Sequence, residues 1–280
     1  MTHMKLTAVV CLVVAVLSGS RDARGALLAY EPFDYSPAGA DLNGSNGGFG
    51  FSGPWAPGGF NASVNNNYDV ASGSLPFQQL LIGGNRVSSL PTTAIAGLTR
   101  PLVAPLGAAG ETKYVSVVLR PEGTVGAGAF NGFFGLTLES PTEPEMYIGK
   151  PGSGTLDRYV VENRGGAGQV VSNVTPTANQ TALLVLKAQF SATSDLFTLY
   201  VNPTPGAAEP SSGLVKNDAN LGVVNGLTIY STGAFSVDAI RLGDTFADVT
   251  PVPEPGVAAI TCVGVCLLLG GRGRAGTRQR

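Results

Sequence analysis

Between residues 26 and 250 the chain contains no cysteine and no histidine. The one histidine is His3, and the three cysteines, Cys11, Cys262 and Cys266, lie in apolar runs near the two ends. This excludes Ser-His-Asp and Cys-His nucleophiles and His- or Cys-based zinc sites from the body of the protein. It also excludes a disulfide framework, so buried apolar area must hold the body together. Cys262-x-x-x-Cys266 fits small residues packing on one helix face better than metal binding. Charge is scarce too, at 13% of residues. Residues 26–250 carry ten Lys/Arg against 17 Asp/Glu, about −7, whereas the whole chain is −2. So acidic a body does not neutralise phosphates, which excludes nucleic acid as a partner. Also missing is any sustained helical repeat with caps.

What is present is glycine (39), proline (19) and many β-branched residues in 280 positions. This composition predicts an all-β protein rich in turns. Residues 30–60 interleave Asn-Gly and Gly-Gly turns with Phe33, Phe49, Phe51 and Trp55, which read as anchors against a core. Strands are expected at 114–120, 133–139, 159–162, 181–190, 195–202, 227–230 and 236–242. In 133–139, Phe134, Leu136 and Leu138 share one face. In 236–242, strict alternation sets Val237, Ala239 and Arg241 against Asp238, Ile240 and Leu242. The Pro/Gly-rich spans 140–158 and 201–222 read as loops. Many short strands in about 220 residues imply a single β-sandwich or jelly roll.

Both ends read as targeting segments. Lys5, the apolar run 6–17 and the small residues Ala23 and Gly25 form a secretory signal peptide over 1–25, with alternative cuts after Ser18 or Ser20. At the other end, Val252-Pro253-Glu254-Pro255 precedes an uncharged apolar stretch at 256–271, then Arg272, Arg274, Arg278 and Arg280. The stretch is short for a span of about 20 residues and suits a thin or transient transmembrane helix. The arginines would stay on the cytoplasmic side. Pro251, Pro253 and Pro255 would keep the stalk extended.

The tail, with its Val-Pro-Glu-Pro motif, apolar span and basic end in that order, resembles the PEP-CTERM sorting signal of Gram-negative bacteria. The resemblance implies processing by an exosortase, a transient stay in the inner membrane, and delivery to the cell surface or a polysaccharide matrix. The body resembles the LamG-like, concanavalin A-like jelly rolls found in such proteins. That resemblance rests on residues 28–35 with the Gly-rich Trp55 segment, on 184–203, and on 238–249. It implies a domain over 26–250 followed by a sorting signal over 251–280.

Candidate site residues are few. Glycoside hydrolysis needs two carboxylates about 5–10 Å apart, and the Glu-x-Asp-x-Glu strand pattern of jelly-roll glucanases does not occur. Glu143 and Glu145 flank Pro144 and read as a solvated loop; Glu31 and Asp34 read as turn or capping residues. Trp55, Tyr68 and Tyr147 are the candidates for a sugar-binding platform, with Tyr159 beside them. Calcium is the only cofactor the pattern admits, through Asp41 and Asn43 in an oxygen-rich loop, with Asn-rich turns as the simpler explanation. The expected role is structural or adhesive, through extracellular polysaccharide. A carbohydrate-active enzyme using Asp/Glu alone and a permanently anchored surface protein are the alternatives.

Overall fold

A computed structural model describes residues 27–92, 94–123, 132–141, 145–152 and 157–253. The expected signal peptide, the apolar stretch 256–271 and the four tail arginines lie outside them. Among the described residues no helix is long and apolar enough to cross a membrane.

The strands are Leu27–Glu31 (β1), Ala56–Pro57 (β2), Tyr68–Ala71 (β3), Arg86–Ser89 (β4), Ala96–Leu106 (β5), Thr112–Pro121 (β6), Phe134–Glu139 (β7), Met146–Lys150 (β8), Val160–Asn163 (β9), Ala167–Val171 (β10), Ala182–Gln189 (β11), Asp195–Val201 (β12), Leu214–Ala219 (β13), Val224–Ser231 (β14) and Phe235–Gly243 (β15). One short helix, Phe246–Val249 (α1), follows. The first sheet runs β13-β12-β11-β6-β15-β4-β3, with β1 also pairing β15. The second runs β10-β9-β8-β7-β14-β5-β2. The chain is an all-β sandwich, and the apolar residues of the two facing sheets form its main core.

Side-chain alternation explains the layering. Phe134, Leu136 and Leu138 of β7 face the main core, as do Leu227 and Ile229 of β14 and Met146 and Ile148 of β8. Residues between them point to the other face of the second sheet. The first sheet has a second apolar layer on its outer side, where Leu75, Phe77 and Leu80 pack with Tyr114, Val118, Tyr200 and Phe246. A sheet buried on both faces reads as a continuous apolar run, as β11 does.

Three sequence expectations need correction. The span 140–158 contains β8, whose five residues are all buried, and 201–222 contains β13. Both strands are short and sit among prolines and glycines, which hid them. In β15, alternation fails at a bulge between Asp238 and Arg241, where Ala239 takes φ 50°. The extra residue returns Ile240 and Leu242 to the same core face as Val237 and leaves Asp238 and Arg241 outside it. Finally, beyond β15 the chain does not run straight on from Gly243. Thr245 and Asp248 form a capping box that turns it into α1.

Candidate functional site

The outer face of the second sheet carries a pocket of about 210 Å³. Its wall is built from separate parts of the chain. Tyr147 comes from β8, Glu162 from β9, Tyr230 from β14, and Arg164 from the turn after β9. Phe60 closes one side, and the Arg164 guanidinium lies 3.9 Å from the Phe60 ring centre. Gly59 makes this approach feasible. It has φ +98°, and a Cβ there would stand 2.2 Å from the Tyr230 hydroxyl, so only glycine fits.

Most of the polar groups around the pocket are shielded from water. Glu162 and Tyr230 are each 4% exposed. Glu162 accepts a hydrogen bond from Gln169, and burial is the main reason its carboxyl is shifted upward. Tyr147 donates its hydroxyl to the Lys150 carbonyl at 2.6 Å, leaving its ring as the pocket surface. The Tyr230 hydroxyl is buried and makes no hydrogen bond of ordinary geometry.

Behind Arg164 sit two more carboxyls, Glu139 at the end of β7 and Glu145 just before β8. Arg164 forms an ion pair with Glu145, which is buried. Glu139 and Glu145 hydrogen-bond each other, and burial raises the pKa of both. The nearby charge of Glu139 raises Glu145 further, to about 8. Two carboxylates in contact resist losing both protons, so near neutrality the pair holds one. Arg164 balances the remaining negative charge. The result is a ring-sized slot with aromatic walls, a carboxylate acceptor at Glu162, a guanidinium donor and the Tyr230 phenol, which the Phe60 backbone approaches. That combination suits a hydroxylated ring: apolar C–H faces meet the aromatics, and hydroxyls meet the polar groups.

Of the sequence candidates, only Tyr147 reaches this pocket. Trp55 and Tyr68 are fully buried and present no face to a ligand, which corrects their reading as a platform. Trp55 stacks on Phe33 with ring centres 5.8 Å apart, and its Nε1 donates to Glu31 at 3.0 Å. Tyr68 donates to the Ala96 carbonyl at 3.0 Å from inside the core. Tyr159 is buried as well, edge-on to Phe134. Glu145 is no solvated loop residue, and its carboxyl partner is Glu139, while Glu143 lies outside the described residues. Glu31 is more than a turn residue. It caps the Phe33 N–H and also binds Tyr35, Trp55 and Arg100.

Asp41 and Asn43 form an Asx turn, with the Asn43 N–H donating to Asp41 Oδ1 at 2.9 Å. Among the described residues no group of three or more His, Cys, Asp or Glu could hold a metal ion. Val252 and Pro253 are the last described residues of the Val-Pro-Glu-Pro motif; Glu254 and Pro255 lie beyond.

No family model and no curated protein matches the chain. Solved structures with a similar course do exist. The globular domain of T. cruzi calreticulin is 9% identical, with 89% of this chain and 100% of that chain covered, at a TM-score of 0.48. An endo-1,3-beta-glucanase from Streptomyces sioyaensis is 11% identical over 80% of this chain and 98% of its own, also at 0.48. The Emp46p carbohydrate recognition domain is 10% identical over 59% and 85%, at 0.38. At such values the likeness carries nothing about what this chain binds or does.

Proposed function

We propose that this is an exported surface or matrix protein, delivered by an exosortase-type enzyme acting on the tail, whose concanavalin A-like jelly roll holds polysaccharide in the pocket on the second sheet. Its role is structural or adhesive. The observation that carries the binding half is the pocket itself, where Tyr147, Tyr230 and Phe60 flank Glu162 and Arg164. The tail, with its Val252-Pro253-Glu254-Pro255 motif, apolar stretch and four arginines, supports the sorting half and a passing stay in the inner membrane. Calcium is not needed for this binding chemistry. A glycan array tests the reading: retention on particular polysaccharides, with no new reducing ends released, is the expected result.

One observation favours a second reading. Carboxyls raised by burial beside a pocket are the raw material of acid–base catalysis, and Glu145 and Glu162 are both of this kind. Under this reading the chain hydrolyses glycans with carboxylates alone. Release of reducing ends that disappears in Glu162→Gln would establish it and displace the adhesive role.

A further inference from the structure

The motif that reads as a removable tail begins inside the folded domain. The path from α1 is fastened at every step. The Val249 carbonyl accepts from the Ser116 hydroxyl of β6 at 2.8 Å. Thr250 is fully buried; its hydroxyl donates to the Phe246 carbonyl at 2.8 Å, and its carbonyl accepts from Gly206 N–H at 3.0 Å. The Pro251 carbonyl accepts from Leu81 N–H at 2.8 Å. Val252 then lies over Gly206. A Cβ added at Gly206, whose φ is +72°, would stand 2.8 and 2.9 Å from the two Val252 methyls. The space a side chain would need at Gly206 is therefore filled by Val252. Pro253 is the first exposed residue of the motif.

The partners of this path are themselves held. Glu209, in the loop of Gly206, accepts from Tyr114, Tyr200 and Lys187. Gln79, in the segment of Leu81, donates to the Pro205 carbonyl at 2.9 Å. Pro251 has no N–H to offer, so it is tied through its carbonyl, and Val252 is held by its contact with Gly206. A peptidase binds several residues around its cut in an extended, open form. Residues 249–252 cannot take that form without tearing this staple open, which places them at the stable end of local opening.

We infer that Val252 is a structural residue of the sandwich, and that any enzyme removing the tail cuts on the carboxyl side of Pro253. As a hydrolysis, the step uses one water, leaves a new carboxylate on the body and frees an amine on the tail fragment. For the natural enzyme this rests on the sorting reading above; the protection of 249–252 does not.

Two measurements on the full chain separate these. Brief proteinase K treatment of the detergent-purified chain, read by intact mass, is expected to leave a body ending at residue 253 or later. Early cuts between 249 and 252 would overturn the inference. Val252→Ala removes the contact with Gly206 and should raise cutting within that window about fivefold, the effect of roughly 1 kcal/mol of lost packing; no change would also count against it. In the native host, a mature end at 253 or later supports both readings, and an end at 252 or earlier overturns the inference alone. An intact Arg280 overturns the sorting reading and leaves the protease result to decide the other.

Discussion

Glu31 and Arg100 form an ion pair from which water is excluded, their side chains 0% and 1% exposed. Arg100 also donates to Asn46 Oδ1 at 2.9 Å and to the Gly47 and Gly53 carbonyls, and lies 4.2 Å from the Phe51 ring centre. Glu31 closes the other side through Tyr35 and Trp55. One carboxylate and one guanidinium thus organise the whole Gly-rich segment that precedes β2. Removing one member strands the other charge in the interior. Arg100→Met is therefore expected to cost about 3–5 kcal/mol of stability. Chemical denaturation reads this directly, and a loss under 1 kcal/mol would show that the pair is dispensable.

Asp238 gives a pH dependence of stability. Its Oδ2 accepts the Leu75 N–H at 2.8 Å, while Oδ1 is buried without a partner. Burial lifts its pKa from 3.8 to about 7, against the opposing pull of the Leu75 and Ala239 N–H groups, Arg241 and Arg86. The folded state holds the proton more tightly than the unfolded chain, so its stabilising effect is full below about pH 4 and is lost as pH rises through 7. Asp238→Asn should flatten the fall in melting temperature between pH 4 and 7. An unchanged slope in that variant would remove Asp238 as its source.

Glu145 extends the same sign to higher pH. Its pKa, raised from 4.5 to about 8 by burial and the charge of Glu139, contributes stability that is present below about pH 4.5 and lost by about pH 8. Glu145→Gln keeps a hydrogen bond to Glu139 and removes the titration. Between pH 7 and 8, where the Asp238 contribution is common to both proteins, this variant should decline less than the parent. Parallel curves for the two proteins would contradict the shared-proton assignment.

How far these features could be read from sequence depends on their range. The alternation of β7 was legible because Phe134, Leu136 and Leu138 are neighbours on one strand. Strand β8 was not, because Met146–Lys150 is short and follows a Pro-rich stretch, so its burial on both faces looks like loop composition. The bulge at Ala239 was invisible for another reason. Nothing in Ser-Val-Asp-Ala-Ile-Arg-Leu announces a left-handed alanine, and the position is set by Asp238 and Arg241 reaching Leu75 and Leu81 from outside the core. The pocket is harder still. Tyr147 and Glu162 are cross-strand partners on the neighbouring strands β8 and β9, but Tyr230 lies 68 residues beyond Glu162, with no spacing to connect it. The one available signal was face parity, which puts Glu139 with Gly135 and Thr137, opposite the core. Trp55 misled because a single tryptophan among glycines resembles an exposed platform, while its partners Glu31 and Phe33 lie 24 and 22 residues earlier.

The pocket on the second sheet is proposed to bind sugar. Isothermal titration of the purified full chain with neutral oligosaccharides of several linkages tests it most directly, with Glu162→Gln and Tyr230→Phe run alongside. Loss of the Glu162 acceptor or the Tyr230 hydroxyl removes one hydrogen bond in a dry site, so each variant is expected to bind about tenfold more weakly while keeping the parent's circular dichroism spectrum. Binding that ignores both substitutions, or no binding by the parent to any neutral sugar, would show that the pocket is not a sugar site.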